Sequence, residues 1–426
     1  MTKIKYQTVT GMHDVFGREQ LLYDKVEETA QKIADFYAFQ RINTPILEDQ
    51  DLFIRSVGES TDIVEKEMFT LKTKGKDLLV LRPEGTAPVF RAYLENGMQS
   101  LPQPVKLWYY GPFFRYERPQ AGRYRQFWQI GFEMLGDASP VLDAQTILIA
   151  YNLLSELGFK KTIVNINSIG CEECRKDYRK ALLSFLRGKK ESICSDCKRR
   201  AEKNVLRVLD CKNPKCQQIL SEAPQVLDYL CPDCKNHFKQ VLEFLEEIPV
   251  PYKLNPFLVR GLDYYCRTVF EIGFEDSPEE EAIGSILGGG RYDFLGKSLK
   301  TDIVPSVGFS MGVERVIALM KLKDIDSKPK KKEGIFIVQV GDLAKRKALK
   351  MIQDFRTAKI NVFEAISKNS MKLQLTKANK LAINTVLIIG QQEALNNTVI
   401  IKDMITGNQS TVKQENIVKE VKKRIK

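Results

Sequence analysis

Histidine is nearly absent: a chain of 426 residues contains only His13 and His237. A Ser-His-Asp triad, an H-E-x-x-H zinc protease or a histidine proton shuttle has almost nothing to be built from. Enzymatic chemistry here has to come from positioning and electrostatics, carried by Arg, Glu, Gln and Tyr. Long apolar stretches are missing too. No run of about 18 apolar residues occurs, so no membrane-spanning helix is expected. The N-terminal "MTKIKYQTVTGMHDVFG" lacks an apolar signal core. The expectation is a soluble, cytoplasmic protein with no membrane partner. Nine cysteines do not imply a secreted disulfide scaffold in a chain this long, and CxxC pairs in a cytosolic chain point to metal.

What is present is an apolar content of 43%, enough for real cores in two or three domains. The net charge of +12 is unevenly placed. From Lys328 onward there are 21 Lys and Arg against 8 Asp and Glu, so the first 327 residues are close to neutral. Such an excess in one domain fits a polyanion partner such as nucleic acid, although a solvated face is an equally ordinary source of it. "SKPKKKEG" reads as a linker over 327–333, separating a body over 1–326 from a tail domain over 334–426.

Secondary-structure patterning differs on the two sides of that linker. In the tail, "GIFIVQV", "INVFEAI" and "TVLIIG" read as strands alternating with helical stretches. "TVIIKDMITGNQSTVK" reads as a hairpin and "ENIVKEVKKRI" as a closing helix. That alternation predicts a compact α/β domain on a mainly parallel sheet. In the body the strands come in runs: "KLWYYGPFFRYE", "RQFWQIGFEMLG", "VRGLDYYCRTVFEIGF" and "SILGGGRYDFL". "VGFSMGVERVIALMK" reads as a strand running into a helix. The body is therefore expected to be an α+β domain on a largely antiparallel sheet. Residues 171–237 interrupt it with a mostly helical block carrying eight cysteines, read as an insertion.

Polar residues inside apolar strands mark the candidate site. "RPEGT" offers Glu84, Gly85 and Thr86. "FFRYERPQAGRYRQFWQIGFE" offers Arg115, Glu117, Arg123, Gln129 and Glu133. "RGLDYY" offers Arg260, Asp263, Tyr264 and Tyr265, and "GVERV" offers Arg315. Each alone has a plain structural reading: a solvated charge, a packed tyrosine, a local ion pair. Together they supply cations for phosphates, carboxylates for an ammonium group or a metal, and aromatic surfaces for a planar ring.

These segments resemble the signature motifs of the histidyl-tRNA synthetase family of class II aminoacyl-tRNA synthetases. "FRYERPQAGRYRQFWQIGFE" is similar to motif 2, "PSVGFSMGVERV" to motif 3 and "TPILEDQDLFIRSVGE" to motif 1. "RGLDYYCRTVFE" and "GGGRYDFL" match the two histidine-specific motifs, and the tail is similar to the family's anticodon-binding domain. The resemblance covers nearly the whole chain, and it implies a histidine–tRNA ligase using ATP and Mg2+. By the same resemblance, Arg115 and Arg260 are catalytic residues at the α-phosphate. Arg315 holds the γ-phosphate end of a bent ATP, and Arg123 and Glu117 meet its far end and adenine. Glu84, Gly85, Thr86 and Gln129 receive the amino acid's α-ammonium end. Glu133, Tyr264, Tyr265 and Tyr292 form the imidazole pocket. The resemblance further implies a homodimer through motif 1, tRNA(His) contacts through the motif 2 loop and basic tail, and no editing domain.

Three features stand apart from the shared motifs. Trp128 is expected to face away from the pocket by strand alternation, and Cys266 to be a buried, inert thiol. Cys171/Cys174, Cys194/Cys197, Cys211/Cys216 and Cys231/Cys234 make four pairs, the arithmetic of two structural zinc sites of four cysteines each. His237 is an alternative ligand. The plain alternative is a helical insertion with incidental thiols. The rival identity is the related regulatory subunit of an ATP phosphoribosyltransferase, which resembles the catalytic domain but lacks the anticodon-binding domain. A zinc-ribbon nucleic-acid binder would explain only residues 171–237.

Overall fold

A computed structural model describes residues 6–119, 122–274, 285–325 and 333–425. The chain forms two compact units, Met1–Ser327 and Lys328–Lys426. Apart from Glu333, the expected linker over 327–333 lies outside the described residues.

The first unit is built on an eight-stranded sheet. Its strands are β1 (Gln40–Arg41), β2 (Val105–Phe114), β3 (Gln126–Leu135), β4 (Thr162–Ser168), β5 (Tyr252–Leu254), β6 (Cys266–Phe274), β7 (Leu287–Arg291) and β8 (Ser306–Gly312). Their order across the sheet is β1-β2-β3-β8-β7-β6-β4-β5. The five central pairings are antiparallel and the two outer ones parallel. Both faces are covered, which is why the central strands read as nearly continuous apolar runs. Trp108, Tyr110, Ile130, Phe132 and Phe309 turn to one face. They pack there with residues of the helices Arg18–Phe36, Pro140–Glu156, Pro232–Glu246 and Val313–Leu322. Leu107, Tyr109 and Phe113 turn to the other face, where they join Tyr264, Tyr265 and Tyr292. The period-2 alternation of β2 and β3 therefore places Gln129 and Glu133 opposite Trp128 and Phe132. A small three-stranded sheet, Leu47–Asp49, Leu78–Leu81 and Phe69–Lys72, carries the chain into "RPEGT".

One sequence expectation fails here. "VRGLDYYCRTVFEIGF" is not one strand: only Cys266–Phe274 is β-structure, and 258–265 is a loop with turns. The Asp263 amide donates to the Val57 carbonyl, outside any ladder, and Arg267 takes φ 49° at the strand entrance. The side chains of this loop are polar at consecutive positions, which no alternating strand face can serve.

The block from 171 is helical, with helices Glu172–Arg187, Ser195–Lys203, Pro214–Leu220 and Pro232–Glu246 and two short 3-10 turns. Its last helix runs past 237, and Phe238, Val241 and Leu245 join the main core. The second unit has a five-stranded sheet: β9 (Ile335–Gln339), β10 (Val362–Glu364), β11 (Thr385–Ile389), β12 (Thr398–Asp403) and β13 (Gln409–Lys413), in the order β10-β9-β11-β12-β13. Two pairings are parallel and two antiparallel, so the expected hairpin makes the sheet mixed rather than mainly parallel. Alternate residues of β9 and β11 enter separate cores on the two faces. Among the described residues no helix is long and apolar enough to cross a membrane.

Candidate functional site

On the face away from the large helices, a buried polar cluster sits on glycine. Glu133 on β3 accepts hydrogen bonds from Thr86 Oγ1 at 2.8 Å and from Tyr292 Oη at 2.6 Å. Glu84 accepts from the Thr86 and Ala87 amides, both at 2.8 Å, at the start of the helix Thr86–Glu95. Those amides belong to a positive helix end, so the carboxylate is well placed there. Tyr264 donates to Glu84 Oε2 at 3.3 Å. The Tyr264 ring lies 4.7 Å from Tyr265 and 5.7 Å from Tyr292, centroid to centroid. Burial pushes the Glu133 carboxyl up from 4.5 to about 8, against the two hydrogen bonds that favour its charge. Burial likewise raises Glu84. Two neighbouring carboxyls in one dry site are thus poised to gain from a donor-rich cationic or N–H-bearing ligand.

Glycines make room for this cluster. Tyr109 on β2 pairs in register with Gly131 on β3. A Cβ at Gly131 or Gly85 would stand 2.1 or 2.3 Å from the Tyr109 ring, and one at Gly308 would meet the Glu133 carboxylate at 1.8 Å. Gly131→Ala should therefore displace Tyr109 and destabilise the chain by about 1–3 kcal/mol, the usual range for overpacking. Denaturant unfolding measures it, and an unchanged midpoint would refute the close packing. Gln129 lies on the same strand face, its Oε1 buried without a partner, as is the Tyr109 hydroxyl.

A group of arginines flanks the cluster. Arg115 donates through Nε to the Pro83 carbonyl at 2.9 Å, next to Glu84. Glu117 stands between Arg115 and Arg123, at 3.9 and 3.6 Å. Arg315, at the start of the helix Val313–Leu322, donates to the Ser285 carbonyl at 2.8 Å. Burial, then the charges of Arg123 and Arg115, shifts Arg315 downward, so like charges crowd there. An arriving polyanion relieves that repulsion, and the planar forks suit phosphate oxygens. Arg260 forms an ion pair with Glu271 on β6 and lies over the Tyr265 ring at 5.6 Å. Glu271 pairs in register with Gly288, whose missing Cβ leaves room for the guanidinium.

Every residue singled out in the sequence is thus described. Glu84, Thr86, Glu133, Tyr264 and Tyr292 share one hydrogen-bonded cluster, with the Tyr265 ring tilted against Tyr264 and Gly85 beneath Tyr109. Arg115, Glu117, Arg123 and Arg315 form a second group. Arg260 lies beside Tyr265. Sequence reasoning missed Tyr109 and Glu271, although in each case a strand residue faces a glycine across the ladder. Arg291 of "GGGRYD" is fully buried and bonds Asp143 and Asp293, so it belongs to the scaffold. Asp263 receives Asn204 Nδ2 at 2.9 Å, and Arg267 stands 3.6 Å from Asp293. Trp128 packs on Tyr110, on the helix side, and Cys266 is buried. His237 is not with the cysteines: its Nε2 lies 3.3 Å from Asp143 Oδ1. The eight cysteines fall into two groups, Cys171, Cys174, Cys231 and Cys234, and Cys194, Cys197, Cys211 and Cys216.

A family model for histidyl-tRNA synthetase matches residues 11–316, and one for an anticodon binding domain matches 334–424. The chain is 43% identical over 420 residues to a histidine–tRNA ligase of Dehalococcoides mccartyi, covering 99% of this chain and 100% of that one. It is 44% identical over 407 residues to a histidine–tRNA ligase of Aquifex aeolicus, covering 96% and 98%. Among solved structures it is similar to the apo histidyl-tRNA synthetase of S. aureus. The TM-score there is 0.81, with 33% identity and 97% and 99% of the two chains covered.

Proposed function

The chain belongs to the histidyl-tRNA synthetase family and ligates histidine to tRNA, and we propose that its buried carboxyl–tyrosine cluster reads the imidazole while the flanking arginines hold ATP. The observation that carries the assignment is the adjacency of two unlike environments. One is a dry pair of carboxyls ringed by tyrosine hydroxyls. The other is a crowd of arginines that lacks enough anions.

In the first step a histidine carboxylate oxygen attacks the α-phosphorus of ATP. The bond to the pyrophosphate oxygen breaks and pyrophosphate leaves. Charge builds on phosphate oxygens and little proton transfer is required, so fixed cations and in-line placement do the work. Arg115 and Arg260 approach the α-phosphate and Arg315 the γ-phosphate end, with Arg123 and Glu117 at the nucleotide's far end. Of the carboxylates near Arg315, Glu271 is paired with Arg260 and Glu117 with Arg115 and Arg123, so Mg2+ carried in on ATP would be held mainly by the phosphates, whose charge it would neutralise. Glu84, Thr86 and Gln129 receive the α-ammonium, with Gly85 letting the helix start approach. Glu133 and Tyr264 face the imidazole, with Tyr265 and Tyr292 holding them in place.

In the second step the 3′-end of tRNA(His) takes the histidyl group and AMP leaves. Exposed Arg118 of the motif 2 segment is suited to the acceptor stem, and the lysine-rich second unit to anticodon phosphates. The resemblance to motif 1, together with exposed Ile46, Leu47, Leu71 and Leu78 on and beside the small sheet, supports a homodimer. The cytoplasm, where tRNA is charged, is the proposed location. The regulatory-subunit reading is not favoured, because the anticodon-binding domain is present.

The reading is tested by pH. In the free site Glu133 titrates at about 8, so at neutral pH it mostly holds a proton. The ionised carboxylate is the stronger acceptor for an imidazole N–H, so histidine binding should tighten as pH rises toward 8 and level off above. The ratio of histidine KM between Glu133→Gln and wild type cancels the ligand's own titration. That ratio should climb between about pH 6.5 and 8. A ratio that stays flat with pH would remove Glu133 from the imidazole.

A further inference from the structure

We propose that the insertion carries two structural zinc sites, each held by four thiolates: Cys171, Cys174, Cys231 and Cys234 in one, and Cys194, Cys197, Cys211 and Cys216 in the other. Within each group every sulfur lies within 4.8 Å of the others. Measured separations are 3.6 Å for Cys171–Cys174, 4.0 Å for Cys171–Cys231 and 3.8 Å for Cys194–Cys211. A tetrahedron with Zn–S bonds of about 2.3 Å has sulfur–sulfur edges of about 3.8 Å. A disulfide would need about 2.05 Å, and all nine cysteines are free. A multi-iron cluster places its four cysteines around several metal atoms and needs a wider cage.

The surroundings fit thiolates rather than thiols packed as small hydrophobes. Backbone amides aim at the sulfurs: Cys231 N–H to Cys174 Sγ at 3.1 Å, Cys194 N–H to Cys216 Sγ at 3.2 Å, and Cys197 N–H to Cys194 Sγ at 3.4 Å. Such donors stabilise sulfur charge and orient the ligands. Cys171, Cys194 and Cys231 each cap a helix N-terminus, where negative charge is favoured. Gly170 is needed at the edge of the first group, at φ 65°, because a Cβ there would stand 2.5 Å from Cys174 Cβ. Cys174, Cys197, Cys211, Cys216 and Cys234 are buried, so the sites are closed, as structural zinc sites are.

The fold of this block also calls for a staple. Between Arg187 and Pro232 the regular elements are helices of nine and seven residues and two four-residue turns. Segments this short do not hold themselves, and their shared core counts Cys197, Cys211 and Cys216 among its buried residues. The first site ties the chain leaving β4 to the helix that returns to the sheet. The second fixes the tip that presents Asn204 to Asp263 and Arg207 to Asp62, at 2.9 and 3.5 Å. Asp263 lies in the loop that carries Tyr264, so the second site braces the proposed histidine pocket. That last step rests on the functional reading; the metal sites do not.

The test is metal analysis of the full-length protein. Wild type purified with Zn2+ present should carry two zinc ions per chain. Cys234→Ser and Cys197→Ser should each carry one and the double variant none. Where a serine variant fails to fold, wild type loaded with Co2+ keeps the test open. Two equivalents should give the charge-transfer and visible bands of tetrahedral Co2+–thiolate, displaced by Zn2+. Wild type that stays metal-free after dialysis against Zn2+ under reducing conditions overturns the proposal, as does iron in place of zinc. Zinc-loaded protein that fails to activate histidine counts against the catalytic assignment and leaves the metal sites standing.

Discussion

Arg260→Ala should cut histidine-dependent ATP–pyrophosphate exchange by about 10²- to 10³-fold, the loss typical of removing one fixed donor from a developing oxyanion, while histidine Kd changes little. The guanidinium lies beside Tyr265 and is held by Glu271. Burial alone would weaken its charge, yet Glu271 and the two tyrosines hold its pKa above the ordinary arginine value. It is thus a cation fixed before ATP arrives, and it makes none of the hydrogen bonds that assemble Glu84, Glu133 and Tyr292. Loss of rate without loss of histidine affinity follows. Arg260→Lys should recover little, because an ammonium presents a point charge in place of a planar fork. The measurement is single-turnover adenylate formation beside equilibrium histidine binding. An Arg260→Lys enzyme with the wild-type rate would contradict the assigned role.

Glu133→Gln should raise the histidine KM by about 10- to 100-fold, the range for losing one hydrogen bond to a charged group, and leave the KM for ATP unchanged. The carboxylate accepts Thr86 and Tyr292 and is fully buried. A neutral amide in its place strands donors that the imidazole and Tyr292 direct at it. Folding gives the control. The folded pKa of Glu133 lies near 8, above its ordinary 4.5. The folded chain therefore binds the extra proton, and Glu133 weakens the fold progressively as pH rises from 4.5 through 8. Gln carries no such burden, so the variant should be at least as stable as wild type at alkaline pH. Poor histidine KM in a stable variant assigns the effect to recognition. Equal loss of ATP and histidine affinity would assign it to a damaged scaffold.

Much of the site was legible because its chemistry sits in regular strands. In "FWQIGFE" the alternation alone sends Gln129 and Glu133 to one face and Trp128 to the other. "VGFSMGVERV" runs from β8 into its helix with Arg315 in the first turn. What alternation cannot give is the irregular stretch. "RGLDYY" looked like the first half of a strand, but its backbone bonds elsewhere and its side chains point to several partners. The neighbours of Arg260 and Gly131 were hidden for a related reason. Tyr109 and Glu271 read as ordinary strand residues until the register sets each against a glycine. The grouping of the cysteines was equally illegible. CxxC spacing gives pairs, but only the fold brings together the helix starts at Cys171 and Cys231 and so joins the first pair to the last. His237 shows the converse: a residue with ligand chemistry beside a CxxC is committed to Asp143 instead.

The most direct measurement of the central claim is ATP–pyrophosphate exchange by the purified, zinc-replete protein with Mg2+, run separately with each amino acid. The predicted result is exchange with histidine and with no other amino acid. Folded protein that supports no exchange with histidine, or that exchanges equally with an apolar amino acid, would contradict the account.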